Sequence, residues 1–172
     1  DSASSAIDAS GGFHFAYSGY GADETGHSRA YYAYCASGCD NQANWGIAAF
    51  GDKIGEVQLA LTITGHPRML LNGDDPDYNT LYQYAACDVS CTNSANWTLT
   101  PVTISTYTDV YMYDNPQHYF ALDNQDRPRF LYRKSYSGDV YYVFCDANCN
   151  SDTSWYEFQL NEAIFSNPTL AF

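Results

Sequence analysis

The chain has six cysteines, and their spacing is the first feature that suggests chemistry. They form three pairs of the type Cys-x3-Cys, and a tryptophan follows each pair six residues later. The pairs are Cys35 and Cys39, Cys87 and Cys91, and Cys145 and Cys149, followed by Trp45, Trp97 and Trp155. Thiolates at this spacing can bind zinc, which usually takes four ligands. Because each pair lies in its own copy of the pattern, we expect three local disulfides, formed in an oxidising compartment.

An acidic loop is the second candidate site. Asn72, Asp74, Asp75 and Asp77 place four oxygen-bearing side chains close together in the sequence. Ca²⁺ binds oxygen ligands of this kind, although the loop lacks the glutamate that ends an EF-hand loop. The sequence therefore suggests a calcium site, with a solvated acidic turn as the alternative. No other cofactor is predicted.

Three tyrosines recur at equal intervals in polar loops. They are Tyr20, Tyr78 and Tyr136, separated by 58 residues in each case. A tyrosine ring beside carboxylates offers a flat apolar surface and hydrogen-bond acceptors, which suits stacking on a sugar or docking of a protein. We predict ligand binding at these tyrosines, and packing within the loops is the alternative.

Two arginines are a further candidate for binding. Arg68 and Arg129 could bind a carboxylate with both guanidinium nitrogens. They recur at the same place in the repeated pattern, so we expect them to bridge neighbouring units. The sequence contains no serine elbow, no His-Glu metal motif and no phosphate-binding loop. No catalytic residue is predicted, and an enzymatic function is left open.

The charge and composition exclude some classes of partner. The chain has 7 Lys and Arg against 20 Asp and Glu, a formal charge of -13, which disfavours nucleic acid and anionic lipid. It has no apolar run of the length that spans a bilayer, so membrane insertion is not expected. Its 17 Tyr, 9 Phe and 3 Trp favour strands over helices.

The elements that carry these residues also repeat. An aromatic strand precedes each cysteine pair, with a tyrosine three residues before the first cysteine. Further upstream lies a Gly/Pro turn, seen as Gly65-His66-Pro67-Arg68 and Asp126-Arg127-Pro128-Arg129, with a degenerate copy at Gly11-Gly12-Phe13-His14. Each turn follows a short strand such as Leu59-Ala60-Leu61. Each unit therefore reads as four short strands.

Four strands in 50 to 60 residues is the size of one blade of a β-propeller. We predict an all-β fold, a propeller segment of three four-stranded antiparallel blades plus the first strand of a fourth. The blades span about residues 4–51, 56–104 and 117–162, and the additional strand spans about 167–172, all within a single segment of 1–172. The last strand of the third unit fits its alternation least well, so we expect a β-bulge after Trp155.

The repeated pattern resembles the BNR or Asp-box repeat of bacterial extracellular and sialidase-like β-propellers. In an Asp box, a short polar hairpin ends in a tryptophan that packs between strands, and residues 39–45 and their two counterparts occupy that place here. These hairpins lack the glycine before the tryptophan and carry a cysteine pair instead. The resemblance therefore implies the fold and not sialidase activity.

Three blades cannot close a ring alone, because the sheet edges and apolar faces would stay bare. We expect further blades from a longer protein or from a homo-oligomer. The predicted function is that of a secreted or cell-surface recognition and scaffold module that binds carbohydrate or protein through loops on one face. The alternatives are a fragment of a sialidase-like glycoside hydrolase and a structural subunit of a cell-surface assembly.

Overall fold

The computed structural model describes residues 2–20, 28–74, 80–102, 119–133 and 139–160. In this part of the chain, twelve strands form three four-stranded antiparallel sheets, each in sequential order, which confirms the predicted all-β fold. The first sheet holds β1 (Ala3–Ile7), β2 (Phe13–Tyr20), β3 (Ser28–Cys35) and β4 (Gly46–Phe50); the second holds β5 (Ile54–Leu61), β6 (Pro67–Asp74), β7 (Thr80–Ala86) and β8 (Thr98–Val102); the third holds β9 (Phe120–Leu122), β10 (Pro128–Arg133), β11 (Val140–Cys145) and β12 (Trp155–Leu160).

Helical structure among the described residues is limited to three short 3-10 turns, Gln42–Asn44, Ser94–Asn96 and Asp152–Ser154. No helix in the described part of the chain is long and apolar enough to cross a membrane. The strand expected at residues 167–172 lies outside the described ranges.

In the turn between the first two strands of a sheet, the side chain of the first turn residue accepts hydrogen bonds from the backbone of the turn. Asp8 accepts hydrogen bonds from the backbone N–H groups of Ser10 and Gly12, both at 2.8 Å, and Asp123 starts the corresponding turn of the third sheet. One residue in each of these turns has a left-handed backbone. It is Gly11 in the first sheet, Gly65 in the second and Asp126 in the third, with φ of 88°, 84° and 59°. Glycine adopts this conformation without steric cost, and aspartate tolerates it better than most residues.

The three cysteine pairs form disulfides within their own hairpins, as predicted. No thiol of these pairs is therefore available as a zinc ligand. In each hairpin the tryptophan indole N–H donates a hydrogen bond to the carbonyl of the second cysteine, over 3.0, 2.7 and 3.2 Å in chain order. This bond explains the fixed distance of six residues between the second cysteine and the tryptophan, because the indole closes the hairpin that the disulfide begins.

Successive sheets pack face to face, and the tryptophans join them. Trp97 of the second sheet contacts Tyr32 and Phe50 of the first, with ring centroids 5.1 and 5.2 Å apart. Trp155 of the third sheet contacts Tyr84 of the second in the same way, at 5.4 Å. One apolar core therefore fills the space between the first and second sheets, and another fills the space between the second and third.

The first strands of the three sheets lie next to one another. β1 contacts β5, and β5 contacts β9. The backbone N–H of Val57 in β5 donates to the hydroxyl of Ser2 over 2.7 Å, and the N–H of Leu59 donates to Ser4 over 3.1 Å. The side chains of Ser2, just before β1, and of Ser4 within it therefore satisfy backbone donors at the edge of the second sheet, which would otherwise be left bare.

The predicted bulge after Trp155 is wrong. β12 pairs with β11 in unbroken register from Trp155 to Leu160. Glu157 consequently lies on the face of the third sheet that is turned towards the second. Its carboxylate accepts a 2.7 Å hydrogen bond from the hydroxyl of Tyr132 in β10 of the same sheet. This bond makes a polar residue acceptable at an inward position, and Tyr156 and Phe158 are left on the outer face.

Candidate functional site

The tyrosines predicted to bind a ligand are only partly within the described chain. Tyr20 is the last residue of β2, and its backbone pairs with Ser28. Tyr78 and Tyr136 lie outside the described residues. Ligand binding at these three positions stays a prediction.

The predicted calcium ligands are divided in the same way. Asn72 is buried within β6, and Asp74 is exposed at the end of that strand. Asp75 and Asp77 lie outside the described residues. Within the described ranges, no group of three or more His, Cys, Asp or Glu is arranged to hold a metal ion. The calcium site also stays a prediction.

The prediction that Arg68 and Arg129 bridge neighbouring units is wrong. Each guanidinium bonds within its own sheet, where it donates to the carbonyl of the first cysteine over 2.8 and 2.7 Å. Each also donates to the next residue, Asp88 or Asp146, over 2.6 Å. The arginines therefore fasten β6 and β10 to the cysteine hairpins, because a charged donor can satisfy several acceptors there at once.

The first sheet has a histidine where the other two have these arginines. His14 is only 4% exposed, and its Nδ1 lies 2.7 Å from the Tyr32 hydroxyl while its Nε2 lies 3.1 Å from the Asp8 carboxylate. Asp8, His14 and Tyr32 form a connected chain of polar groups, which we call the Asp8–His14–Tyr32 network. Sequence reasoning missed it, although the degenerate turn Gly11-Gly12-Phe13-His14 contained the signal.

The protons of the network can be placed from its electrostatics. Hydrogen bonds from the Ser10 hydroxyl, His14 and the Gly12 N–H hold the pKa of Asp8 well below its usual range, so Asp8 is an acceptor. Burial, with smaller effects of Tyr34 and Asp8, raises the pKa of Tyr32, so its hydroxyl keeps its proton. The imidazole of His14 lies between these two groups and joins the Tyr32 hydroxyl to the Asp8 carboxylate.

The network forms one wall of a cleft of about 360 Å³ between the first and second sheets. The opposite wall belongs to the turn and cysteine hairpin of the second sheet, where His66 Nδ1 lies 3.5 Å from the Asp88 carboxylate. Aromatic, carboxylate and imidazole groups thus meet at the edge that carries the cysteine hairpins. The cleft is lined by Asp8, His14, Tyr32, Tyr34, Gly65, His66, Pro67, Asp88, Ser90, Cys91 and Thr92.

The two walls of the cleft differ in exposure to solvent. The His14 and Asp8 side chains are 5% and 13% exposed and are engaged in the network, whereas the His66 and Asp88 side chains are 43% and 64% exposed. A ligand in the cleft can therefore contact the exposed His66 side chain, while Asp88 is held by its 2.6 Å bond to Arg68. The cleft offers ring surfaces and hydrogen-bonding groups, a combination that suits an uncharged polar ligand.

Comparisons with protein-family models, with curated proteins and with solved structures give no match for this chain.

Proposed function

We propose that the chain is an extracellular recognition scaffold of the β-propeller type, which binds carbohydrate or protein. The propeller arrangement is supported by the sequential order of the sheets, their face-to-face packing and the adjacent first strands β1, β5 and β9. The three hairpin disulfides are compatible with an oxidising, extracellular location.

The observation that carries the recognition function is the cleft between the first two sheets. The three units use the same positions for their disulfides and for the indole bonds of their hairpins, so these residues serve the scaffold. The cleft instead combines groups that are specific to one unit, namely His14 and Tyr34 from the first sheet and His66 from the second. A repeat scaffold recognises a ligand through such unit-specific side chains.

The test is binding of the intact chain to an immobilised library of glycans and extracellular proteins. We expect a specific ligand whose binding weakens at least tenfold in His66→Ala. The control is Ser94→Ala, which changes an exposed residue of the second hairpin outside the cleft. Absence of any saturable ligand would contradict the recognition function.

A structural role in a cell-surface assembly is the second candidate, favoured by exposed apolar side chains at both ends of the stack of sheets. Ile7 and Ile47 are exposed on the first sheet, and Tyr156 and Phe158 on the third. The mass of the native particle in solution decides between the two. A large homogeneous assembly would favour the structural role, and a monomer would favour recognition.

A further inference from the structure

The outer face of the third sheet carries four aromatic rings in one continuous row. The rings of Phe158, Tyr142, Phe144 and Tyr156 follow one another with centroid distances of 5.5, 5.6 and 5.6 Å. Tyr156 is 60% exposed and Phe158 is 50% exposed. We call these four residues the aromatic row. Exposed large rings in a contiguous group indicate a site of interaction more often than scattered apolar residues do.

The aromatic row is unlike the faces that sheets of this chain use to pack on one another. Tyr156 and Phe158 correspond to Gly46 and Ala48 in the first sheet, and to Thr98 and Thr100 in the second. These smaller residues leave room for the hairpin of the following sheet.

Gly46 shows how little space such an interface leaves. A Cβ atom at Gly46 would lie 2.5 Å from the Thr92 methyl group of the next sheet. A tyrosine at the corresponding position 156 therefore does not fit an interface as close as the one between the first two sheets.

The tyrosine that packs against a tryptophan of the next sheet is also occupied on this face. Tyr32 receives Trp97 edge-on, with an interplanar angle of 63°, and Tyr84 receives Trp155 at 61°. Tyr142 is the corresponding tyrosine of the third sheet, and it receives Phe158 of its own sheet at 66°. The third sheet thus completes this ring contact without a neighbour.

A groove with a polar edge adjoins the row. Its volume is about 530 Å³, and Phe144 and Tyr156 form its apolar side. Asp146, Asn148 and Ser154 lie along the same groove. The Asp146 carboxylate is fixed by a 2.6 Å bond from Arg129 and still exposes 55% of its side chain. A held carboxylate beside stacked rings can accept hydrogen bonds from hydroxyl groups while the rings cover an apolar ring face.

We propose that the aromatic row and its groove bind a neutral oligosaccharide. A buried aromatic side chain covers about 150–250 Å², so the exposed parts of the four rings amount to roughly 300 Å². That area is well below the ~800 Å² per partner of a stable protein complex, and it suits a few sugar rings. The formal charge of -13 opposes polyanionic glycans. The proposal rests on the recognition function and assigns it a second site, distinct from the cleft.

The experiment titrates the intact chain with cellohexaose, xylohexaose and mannohexaose as neutral probes and with hexagalacturonate as the anionic probe, by calorimetry. We expect saturable binding of at least one neutral probe and none of the anionic one. Tyr156→Thr and Phe158→Thr introduce the residue type found at the same positions of the second sheet, and each should weaken binding at least tenfold. Phe15→Ala, on the outer face of the first sheet, is the aromatic control and should leave binding unchanged.

The outcomes separate this proposal from the recognition function. Failure of all three neutral probes overturns the oligosaccharide site. Binding that His66→Ala weakens and the two threonine variants leave unchanged overturns it as well, but keeps the function assigned to the cleft. Concentration-dependent association of the chain, abolished by Tyr156→Thr, would also overturn it and favour a protein contact.

Discussion

The three tryptophans occupy equivalent positions but differ in what surrounds them. Trp97 and Trp155 are each 7% exposed because a preceding sheet covers them, whereas Trp45 contacts Phe13 of its own sheet and is only half-buried. The same side chain in the same hairpin therefore contributes differently to stability according to its neighbours.

We predict that Trp97→Ala lowers the free energy of unfolding by about 3–5 kcal/mol, since it empties a core position. Trp45→Ala should cost on the order of 1–2 kcal/mol, because less of its surface is buried on folding. Urea denaturation of both variants provides the comparison. Equal losses would show that a further sheet covers Trp45 in solution.

The acid stability of the third sheet should depend on Asp123. Burial alone would raise the pKa of Asp123, but hydrogen bonds from the Arg127 guanidinium and from the backbone N–H groups of Gln125 and Arg127 outweigh it and hold the pKa at about 2. A carboxyl with a lowered pKa stabilises the fold above its unfolded pKa near 4 and loses that effect as the pH falls towards 2.

Asp123→Asn should therefore lower stability at pH 7 and flatten its decrease between pH 4 and 2. Chemical denaturation at several pH values measures both effects, with Asp40→Asn as the control because Asp40 is exposed. An unchanged slope in Asp123→Asn would contradict the assignment.

Each cysteine hairpin is an element with its own closure. The disulfide joins cysteines four residues apart, and the tryptophan indole bonds the second cysteine's carbonyl. We predict that Cys87→Ser combined with Cys91→Ser lowers the free energy of unfolding by about 2 kcal/mol, from the chain entropy of so short a loop. Urea denaturation tests this value, and reduction of all three disulfides of the wild type should cost roughly three times as much. No measurable loss would mean that the indole bond alone holds the hairpin.

The hairpins and strands could be predicted from the sequence because the residues that build them are local and repeated. The Cys-x3-Cys spacing and the tryptophan six residues later identify a closed turn, and each aromatic strand precedes it. The bulge after Trp155 was expected because Glu157 breaks the alternation of β12. The Tyr132 hydroxyl that satisfies Glu157 lies 25 residues away in the sequence, and alternation within one strand contains no information about it.

The cleft was beyond sequence reasoning for a similar cause. His14 could be aligned with Arg68 and Arg129, but its partner Asp8 lies in the preceding turn and its partner Tyr32 lies in the neighbouring strand. The opposite wall belongs to another sheet. The packing of two sheets, which the sequence pattern alone does not specify, brings these groups together.

The two ends of the molecule are built differently. The outer face of the first sheet holds Phe15, Tyr17 and Trp45 at positions that match Met69, Leu71 and Trp97, which face a preceding sheet. The outer face of the third sheet holds the aromatic row, where the matching positions are small. The outer face of the first sheet therefore resembles an internal interface, and the outer face of the third sheet does not.

A pair of substitutions tests this difference between the ends. Gly46→Tyr should destabilise the chain by about 1–3 kcal/mol or more, because the ring collides with Thr92 and separates the first two sheets. Tyr156→Thr, at the matching position of the third sheet, should change stability by no more than about 0.5 kcal/mol, as for an exposed residue. Urea denaturation of both variants decides the matter. A large loss in Tyr156→Thr would indicate that this face is covered in solution.

The short span of each disulfide also affects how the protein reaches its oxidised state. Six cysteines can pair in many ways, but a thiol meets a partner four residues away far sooner than one in another unit. Where synthesis delivers the chain into an oxidising environment, each bridge can close before the next pair has appeared. Oxidation then follows the order of synthesis, and scrambled isomers that would need an isomerase should be rare.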